Sequence, residues 1–336
     1  MMNDLSFVII GKNAEWSIAR LLESILAHVP SHLSIEIIYV DSASTDRTIE
    51  VVHRYPVTIL QLSTHHALCA SAGRFVGSRY ASGKYIFFLD SDMELAEGWL
   101  QRALKALDEK PQIGAITGIV LDIDRALKAD EIPALDCSGY RDAGWTVVKY
   151  AGGAAIFRHS VLDEVGTWNP HIISDEESEL CLRIRHHGYQ VVRIEYPVTR
   201  HYTPPDSEIS TLLARRKRRL YLGFGQTIRY FLNDRLLLPY LAERGYGLVG
   251  VAAVLLAIGS VMLSVALHSA VWCFGFLALL AIVILLDSIR TRSLTLPFFH
   301  LVHRAAILEG TIRGFFMRPY RRDEYHGSVT IIRTMP

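Results

Sequence analysis

The sequence predicts an α/β domain with helices on both faces of its sheet, followed by a helical hairpin that crosses a membrane. Over about the first 120 residues, short apolar runs typical of buried strands alternate with helical patterns. This alternation is typical of a parallel sheet covered on both faces. Residues 247–286 then form a stretch of 40 residues without Asp, Glu, Lys or Arg. A helix of that length covers a bilayer core of about 30 Å roughly twice.

The predicted elements of the first domain follow one another in a regular order. Strands are expected at 7–10, 35–40, 58–62, 85–89, 113–119 and 191–195, with helices at 18–27, 45–55, 67–81 and 97–107. In open sheets of this kind, ligands bind beyond the carboxyl ends of the strands. The residues that directly follow each strand are therefore the first candidates for a functional site.

Acidic residues follow two of these strands. Asp41 opens the loop after the second strand, and Asp90-Ser91-Asp92 follows the fourth. Two carboxylates one residue apart suit a hard divalent cation that phosphate oxygens also hold. The alternative is a helix cap or a solvated turn, but the position directly after a buried strand and the second acidic loop favour a ligand site.

Four segments carry a resemblance to a known family. In order along the chain they read FVIIGKNAE at 7–15, VDSASTDRT at 40–48, GRFVG with GKYIFFLDSD at 73–92, and GGAAIFR with EESELCLR at 152–183. This ordered set resembles the family 2 glycosyltransferases over about residues 5–203. The resemblance implies a GT-A nucleotide-sugar-binding domain at 1–205, with a Rossmann-like mixed sheet and helices on both faces.

The resemblance also implies roles for individual residues. Glu177 occupies the position of the family's catalytic Asp, and Glu176 and Asp175 are near enough to share or replace this role. Asp92 is expected to bind a divalent cation, Mg or Mn, with Asp90 on the metal or ribose side and His201 close to the cation or diphosphate. The expected donor-binding residues are Asn13, Glu15, Asp41, Arg74, Asp90 and Ser91, and Gly152 and Gly153 are expected on the acceptor side.

Some of these assignments have simpler alternatives. Arg74 could be an ordinary surface arginine, His201 a packing or loop residue, and the run at 175–177 a solvated helix start favoured by the helix dipole. Two residues depart from the family pattern. Glu177 is one methylene longer than Asp, and Ser42 stands where many relatives have a second Asp, which leaves the nucleobase undetermined.

The apolar stretch is predicted to form two transmembrane helices at about 248–267 and 270–286, joined by a tight turn at His268-Ser269. The alternative is a pair of buried helices in a soluble core, but neither run has a polar face. The basic segment at 206–246 is expected to be interfacial, with a helix at 212–232 on anionic lipid. Residues 287–336 are expected to form a cytoplasmic, amphipathic C-terminal region with a second surface helix at 297–316.

The charge distribution predicts how the hairpin is oriented. The net charge of +1 divides into −7 for residues 1–200, +4 for 201–246, zero for 247–286 and +4 for 287–336. Because both flanks of the hairpin are basic, the positive-inside rule places the catalytic domain and the C-terminus in the cytoplasm, as in a multi-pass protein of the cell membrane. The sequence begins without a signal-peptide pattern. The basic residues that flank the hairpin are explained by their position beside the membrane, so no nucleic-acid partner is expected.

The function predicted from the sequence is an inverting, metal-dependent glycosyl transfer in polysaccharide or glycolipid biosynthesis. The donor would be a nucleotide-diphosphate sugar, and the acceptor a hydroxyl of a lipid-linked or membrane-proximal glycan. Because two spans are too few for a self-contained polysaccharide channel, partners in an export or synthase complex are expected. The alternative is a non-catalytic, membrane-tethered subunit that binds nucleotide or glycan within a synthase complex.

Overall fold

The computed structural model describes residues 3–64, 68–127, 131–132, 138–140, 144–203, 209–319, 322, 325 and 329–335. The chain forms two units, the first made of Met1–Pro205 with Tyr320–Pro336 and the second of Asp206–Pro319. The C-terminal residues therefore belong to the same unit as the N-terminal domain.

A mixed sheet of ten strands organises the first unit. Its strands are β1 (Leu5–Gly11), β2 (Ile35–Asp41), β3 (Thr58–Leu62), β4 (Tyr85–Asp90), β5 (Met93–Leu95), β6 (Ile113–Asp124), β7 (Trp145–Val147), β8 (Ala155–Arg158), β9 (Gln190–Thr203) and β10 (Val329–Arg333). They lie in the order β10-β3-β2-β1-β4-β8-β6-β9-β5, with β7 paired to β9. The strands β3-β2-β1-β4 are parallel, whereas β8 runs antiparallel to both of its neighbours.

The helices of this unit are α1 (Ile18–His28), α2 (Thr48–Val52), α3 (Ala70–Tyr80), α4 (Trp99–Glu109), α5 (His159–Val165) and α6 (Glu176–His186), with a 3₁₀ turn at Ser138–Tyr140. Two apolar layers cover the sheet. Along β1, Phe7 and Ile9 pack in one layer, and Val8 and Ile10 pack in the other. Successive side chains of a strand point to opposite faces, which explains why this strand is an uninterrupted apolar run.

The α/β fold class with helices around the sheet is confirmed, with some differences in the elements. The helix predicted at 45–55 is limited to α2, and β5, β7, β8 and β10 were not predicted. The strand predicted at 191–195 continues to Thr203, so that His201 lies within β9. β9 extends because it pairs with β6 on one side and with β5 on the other, where Met93 lies opposite His201.

The second unit is helical. It contains α7 (Ile209–Lys217), α8 (Gly223–Tyr230), α9 (Leu237–Arg244), a 3₁₀ turn at Gly245–Leu248, α10 (Val249–Ala266), α11 (Val271–Thr291) and α12 (Leu296–Phe316). The helix predicted at 212–232 is two helices, because Arg219 adopts a left-handed conformation (φ 61°) between them.

Among the described residues, two helical segments are long and apolar enough to cross a membrane. They are Leu237–Ala266, which includes α10, and Val271–Thr291, which is α11. No residue of α10 or α11 is buried, so these helices do not form the core of the unit. The turn between α10 and α11 has His268 in a left-handed conformation (φ 48°), and the Ser264 hydroxyl contacts Cys273 Sγ at 3.2 Å across it. The chain thus contains an apolar hairpin of the predicted kind.

Candidate active site at the ends of β4 and β9

Asn13 and Glu15 connect the loop after β1 to the loop after β2. The backbone N–H of Thr45 donates to Asn13 Oδ1 at 2.8 Å, and that of Arg47 donates to Glu15 Oε2 at 2.8 Å. Asn13 adopts a left-handed conformation (φ 54°), which Asn tolerates better than most residues. Both side chains are exposed, so they hold two loops together at the surface where the donor-binding residues were predicted.

Asp41 is fully buried at the end of β2. Its carboxylate accepts hydrogen bonds from the backbone N–H of Ser44 at 2.8 Å, the Ser44 hydroxyl at 2.5 Å and Gln61 Nε2 at 3.0 Å. Asp41 therefore fixes the conformation of this loop, and the nucleoside contact expected of it stays a prediction. Nearby, the hydroxyl of Tyr39 is buried without a hydrogen-bond partner among the described residues.

Arg74 lies at the centre of a cluster of carboxylates. One guanidinium nitrogen donates to Glu176 Oε1 at 2.8 Å and to Glu177 Oε1 at 3.3 Å, and the other donates to Asp90 Oδ1 at 2.9 Å. The guanidinium also lies over the Trp168 ring, 5.1 Å from its centroid. Because Arg74 is only 1% exposed, it is not an ordinary surface arginine. The structure thus joins residues of α3, β4 and α6 in one ionic cluster.

The first turn of α6 brings its acids to Arg74. Asp175 precedes the helix in a left-handed conformation (φ 68°), and its carbonyl accepts from the N–H of Glu179 at 3.2 Å. Burial and the adjacent Glu177 raise the pKa of Glu176 to about 8, although Arg74 opposes the shift. Burial also raises the pKa of Asp90, with Arg74 again opposing. The helix N-terminus stabilises the acids that remain ionised.

His201 lies between two aspartates. Its Nε2 is 3.6 Å from Asp92 Oδ2, and its Nδ1 is 2.9 Å from Asp122 Oδ1. Contact with Asp92, together with Asp122, raises the pKa of His201 to about 9, so that the imidazole is protonated at neutral pH. Asp122 reaches His201 because the two residues lie opposite each other in the pairing of β6 with β9.

These residues form a donor set that fits a divalent cation held partly by phosphate. Asp92 Oδ1 is buried and has no hydrogen-bond partner among the described residues, and Asp90 lies two residues before it. Within the part of the chain that the structure describes, no three His, Cys, Asp or Glu side chains are grouped to hold a metal by themselves. Mg²⁺ usually takes one or two protein carboxylates and completes its shell with water and substrate phosphates. Asp90 and Asp92 could serve in this way, and His201 could join them once its imidazole has lost a proton.

Of the two glycines predicted on the acceptor side, Gly153 borders the same cluster. A methyl group built on Gly153 would lie 2.9 Å from Asp90 Oδ2 and 3.3 Å from an Arg74 nitrogen. Gly152 has a positive φ of 73° and open space around it. Ser91, between the two aspartates, is buried, and its hydroxyl approaches Gly11 at the end of β1. Gly153 therefore leaves the Asp90 carboxylate accessible on one side.

Two residues of the site were not predicted from the sequence. Trp168 lies in a loop without a recognisable motif, and only its packing beneath Arg74 reveals its role. Asp122 belongs to the LDID end of β6, where polar residues alternate with apolar ones. That alternation is a signal of a strand with one polar face, and it could have placed Asp122 on a functional edge.

Comparison with known sequences gives a family match over part of the chain. Residues 6–166 match the model of glycosyl transferase family 2. An uncharacterised glycosyltransferase of Haemophilus influenzae is 29% identical over 113 residues, which cover 33% of this chain and 37% of that protein. The minor teichoic acid biosynthesis protein GgaB of Bacillus subtilis is 30% identical over 110 residues, covering 32% of this chain and 12% of that protein. The chain therefore spans only a minor part of the length of these relatives.

Comparison with solved structures gives the fold. The mannosyltransferase PcManGT of Pyrobaculum calidifontis, solved in complex with GDP-Man and Mn²⁺, superposes with a TM-score of 0.61. The superposition covers 94% of this chain and 88% of that one at 19% sequence identity. Residues 6–166, just under half of the chain, are thus similar to glycosyl transferase family 2, and the first unit has the GT-A fold.

Proposed function

We propose that this protein is an inverting, metal-dependent glycosyltransferase that uses a nucleotide-diphosphate sugar. The acceptor is a hydroxyl of a lipid-linked or membrane-proximal glycan. One observation carries the proposal: the Arg74 cluster lies beside the Asp92–His201 pair at the carboxyl end of β4. In this arrangement the buried guanidinium of Arg74, the Asp90 and Asp92 carboxylates and the candidate base Glu177 lie together. Ligands of such folds bind at this edge of the sheet.

On the donor side, Asp90 and Asp92 would hold a divalent cation, and His201 would join them once its imidazole had lost a proton. A cation bound there would neutralise the charge of the leaving diphosphate. Arg74 adds a second positive charge, preorganised by its ion pairs and by Trp168. Asn13, Glu15 and Asp41, in the connected loops after β1 and β2, bind the nucleoside and ribose. Ser91, which follows β4, takes part in the same binding.

On the acceptor side, Glu177 is the general base. It is partly exposed, whereas Glu176 is buried against Arg74. As the acceptor oxygen bonds to the anomeric carbon, the bond from that carbon to the diphosphate oxygen breaks, and the hydroxyl proton moves to Glu177. Gly152 and Gly153 leave room for the acceptor to approach in line.

The second unit supports a location at the cell membrane. Its two long apolar helical segments have almost no buried residues, and arginines precede and follow them in the sequence. The hairpin spans the membrane, with the catalytic unit and the C-terminus in the cytoplasm, where soluble nucleotide sugars are present. The likeness to a teichoic acid biosynthesis protein supports a role in making a cell-surface polymer, in which export or synthase partners would take part.

Asp92→Asn and Glu177→Gln test the proposal on detergent-purified protein with a panel of nucleotide sugars, Mg²⁺ or Mn²⁺ and glycolipid acceptors. Asp92→Asn should lower transfer by at least about 100-fold, because it weakens the cation site. Glu177→Gln should lower kcat by about 10²–10⁴-fold with little change in donor binding, because it removes only the base. Glu50→Gln, an exposed carboxylate on α2, is the control and should leave activity unchanged.

Several outcomes would change the proposal. Full activity of Asp92→Asn would contradict the metal assignment. Unchanged turnover of Glu177→Gln, with a loss in Glu176→Gln or Asp175→Asn, would move the base to that residue. Donor binding without turnover across the whole panel would favour a non-catalytic subunit.

A further inference from the structure

A tight turn before Trp168 directs its backbone oxygens towards two arginines. Arg183 donates to the carbonyl of Val165 at 2.8 Å and of Thr167 at 2.9 Å, and also to that of Gly166. Glu179 holds Arg183 through both carboxylate oxygens, at 2.7 and 2.8 Å. The turn is therefore fixed from the side of α6.

Arg322 fixes the same turn from the other end of the chain. Its Nη1 donates to the carbonyl of Thr167 at 3.0 Å and of Val165 at 3.4 Å. Gly166 has a positive φ of 78°, and a methyl group there would lie 2.0 Å from this nitrogen. Only glycine therefore allows the guanidinium to approach this turn so closely.

The turn leads directly into the support of Arg74. Trp168 is 1% exposed and packs edge-to-face on Phe88 and Phe157, with ring centroids at 5.2 and 5.5 Å. The next carbonyl, that of Asn169, accepts a hydrogen bond from the Ser71 hydroxyl at 2.5 Å. Because Ser71 lies on α3, three residues before Arg74, the segment after the turn contacts both the ring beneath Arg74 and the helix that carries it.

The C-terminal segment also contacts α3. Tyr325 is 6% exposed, and its ring lies 5.6 Å from that of Phe75, the neighbour of Arg74. The same ring lies 5.6 Å from His171, in the segment that follows the turn. Arg322 and Tyr325, which follow the second unit in sequence, thus pack on the elements that position Arg74.

We propose that Arg322 is a positioning residue for the active site: it holds the turn at 165–167 so that Trp168 remains beneath Arg74. Its effect passes through Trp168 to the guanidinium that binds Asp90, Glu176 and Glu177. This inference rests on the proposed function in one respect, since its kinetic consequence requires that the cluster be the transfer site.

The test compares Arg322→Ala and Arg322→Lys with Arg333→Ala in the full chain. Arg333 is a matched control because it also anchors the C-terminal segment through backbone carbonyls, those of His53, Tyr55 and Val57, which lie outside the turn. Arg322→Ala should lower kcat about tenfold with less than about threefold change in donor KM, because misplacing a positioned group slows the chemical step. Arg322→Lys should retain part of the activity, and Arg333→Ala should retain nearly all of it.

Two readouts separate positioning from loss of stability. Guanidinium ion at millimolar concentration should restore part of the activity of Arg322→Ala and leave Arg333→Ala unchanged. Amide hydrogen exchange at 166–168 should rise in Arg322→Ala and stay at the parent level in Arg333→Ala. If Arg322→Ala does not fold, the kinetic and exchange comparisons are made with Arg322→Lys.

Equal kinetic losses in Arg322→Ala and Arg333→Ala, or unchanged exchange at 166–168, would overturn the proposal. Hydrogen exchange does not depend on turnover. A parent chain that transfers no sugar would therefore count against the proposed function, while the exchange result would still decide whether Arg322 orders the turn.

Discussion

Arg74 provides one positive charge to three carboxyl groups, and this imbalance determines the protonation of the cluster. With Asp90, Glu176 and Glu177 all ionised, the cluster would carry a net charge of minus two in a largely buried place. The most buried of the three is Glu176, whose pKa is raised to about 8 by burial and by Glu177. At neutral pH the cluster therefore keeps a proton on Glu176.

This assignment predicts a pH-dependent effect of Glu176→Gln on stability. Because the pKa of Glu176 is higher in the folded state, its contribution to stability is full below the unfolded pKa of about 4.3 and is lost as the pH rises through 8. Glutamine is neutral at every pH. The melting temperature of the variant, relative to the parent, should therefore increase between pH 5 and pH 9.

Calorimetry of both proteins in detergent at pH 5, 7 and 9 measures this difference. A relative gain of 1 kcal/mol corresponds to about 2–4 °C in a domain of this size. The exposed control Glu50→Gln should show no such trend. A difference that stays constant with pH would mean that Glu176 is ionised in the folded protein.

At the scale of elements, three glycines allow α8 and α12 to pack at close range. A methyl group on Gly314 would lie 2.1 Å from the carbonyl oxygen of Leu222, and one on Gly225 would lie 2.1 Å from that of Thr311. A methyl group on Gly310 would likewise lie 2.3 Å from the carbonyl oxygen of Tyr221. The obstacles are backbone atoms, so a larger side chain could be accommodated only if the helices moved apart.

Gly314→Ala should therefore destabilise the second unit. Alanine is the better helix former by about 1 kcal/mol, but the clash with the Leu222 carbonyl should outweigh this gain. Gly275→Ala on α11 is the matched control, because a methyl group there meets nothing within 4 Å. Thermal unfolding in detergent should show a clear fall in melting temperature for Gly314→Ala and none for Gly275→Ala. Equal melting temperatures would mean that α8 and α12 do not pack closely.

The elements that the sequence predicted well are those with a strong local pattern. The strand that leads into Asp90-Ser91-Asp92 follows from its apolar run, whereas the helix that begins at 176 was expected from the resemblance of EESELCLR to a family motif. The break at Arg219 was missed because a left-handed arginine has no sequence signature, and it divides a segment with continuous helical periodicity. The end of the last predicted strand was placed too early, because tertiary pairing with β5 and β6 extends β9 past Pro197.

At the scale of the whole molecule, the charges beside the apolar hairpin predict its orientation in the membrane. Both of its flanks are basic, so we expect both on the cytoplasmic side and the turn at His268 on the opposite side. In spheroplasts, a membrane-impermeant maleimide should label His268→Cys, whereas Glu50→Cys on α2 should react only after permeabilisation.

Labelling of the parent chain gives the background signal from its native cysteines. Cys69 and Cys181 are buried and Cys273 is partly exposed on α11, while Cys137 lies outside the described residues. Labelling of Glu50→Cys in intact spheroplasts would reverse the proposed orientation. Failure to label His268→Cys in either condition would argue against a hairpin that crosses the bilayer.

The division of the chain was only partly predictable from the sequence. Composition separates the acidic N-terminal part from the uncharged hairpin, because membrane insertion requires a long apolar run. The pairing of β10 with the sheet could not be predicted from composition, because Val329–Arg333 is a short strand that depends on its partner β3. Short strands take their stability from pairing, and pairing between distant segments leaves little trace in local composition.

The pairing of β10 with β3 also affects how the protein is made. The sheet is completed by β10, which begins about 120 residues after the end of the N-terminal segment. At about 5–20 residues per second, the edge of β3 would stay uncovered for on the order of 10 s while the hairpin is being synthesised and inserted. An open strand edge invites pairing with other chains. The sheet is therefore completed only after the hairpin has been synthesised, so that a chain stalled in the hairpin would be a substrate for chaperones and proteases.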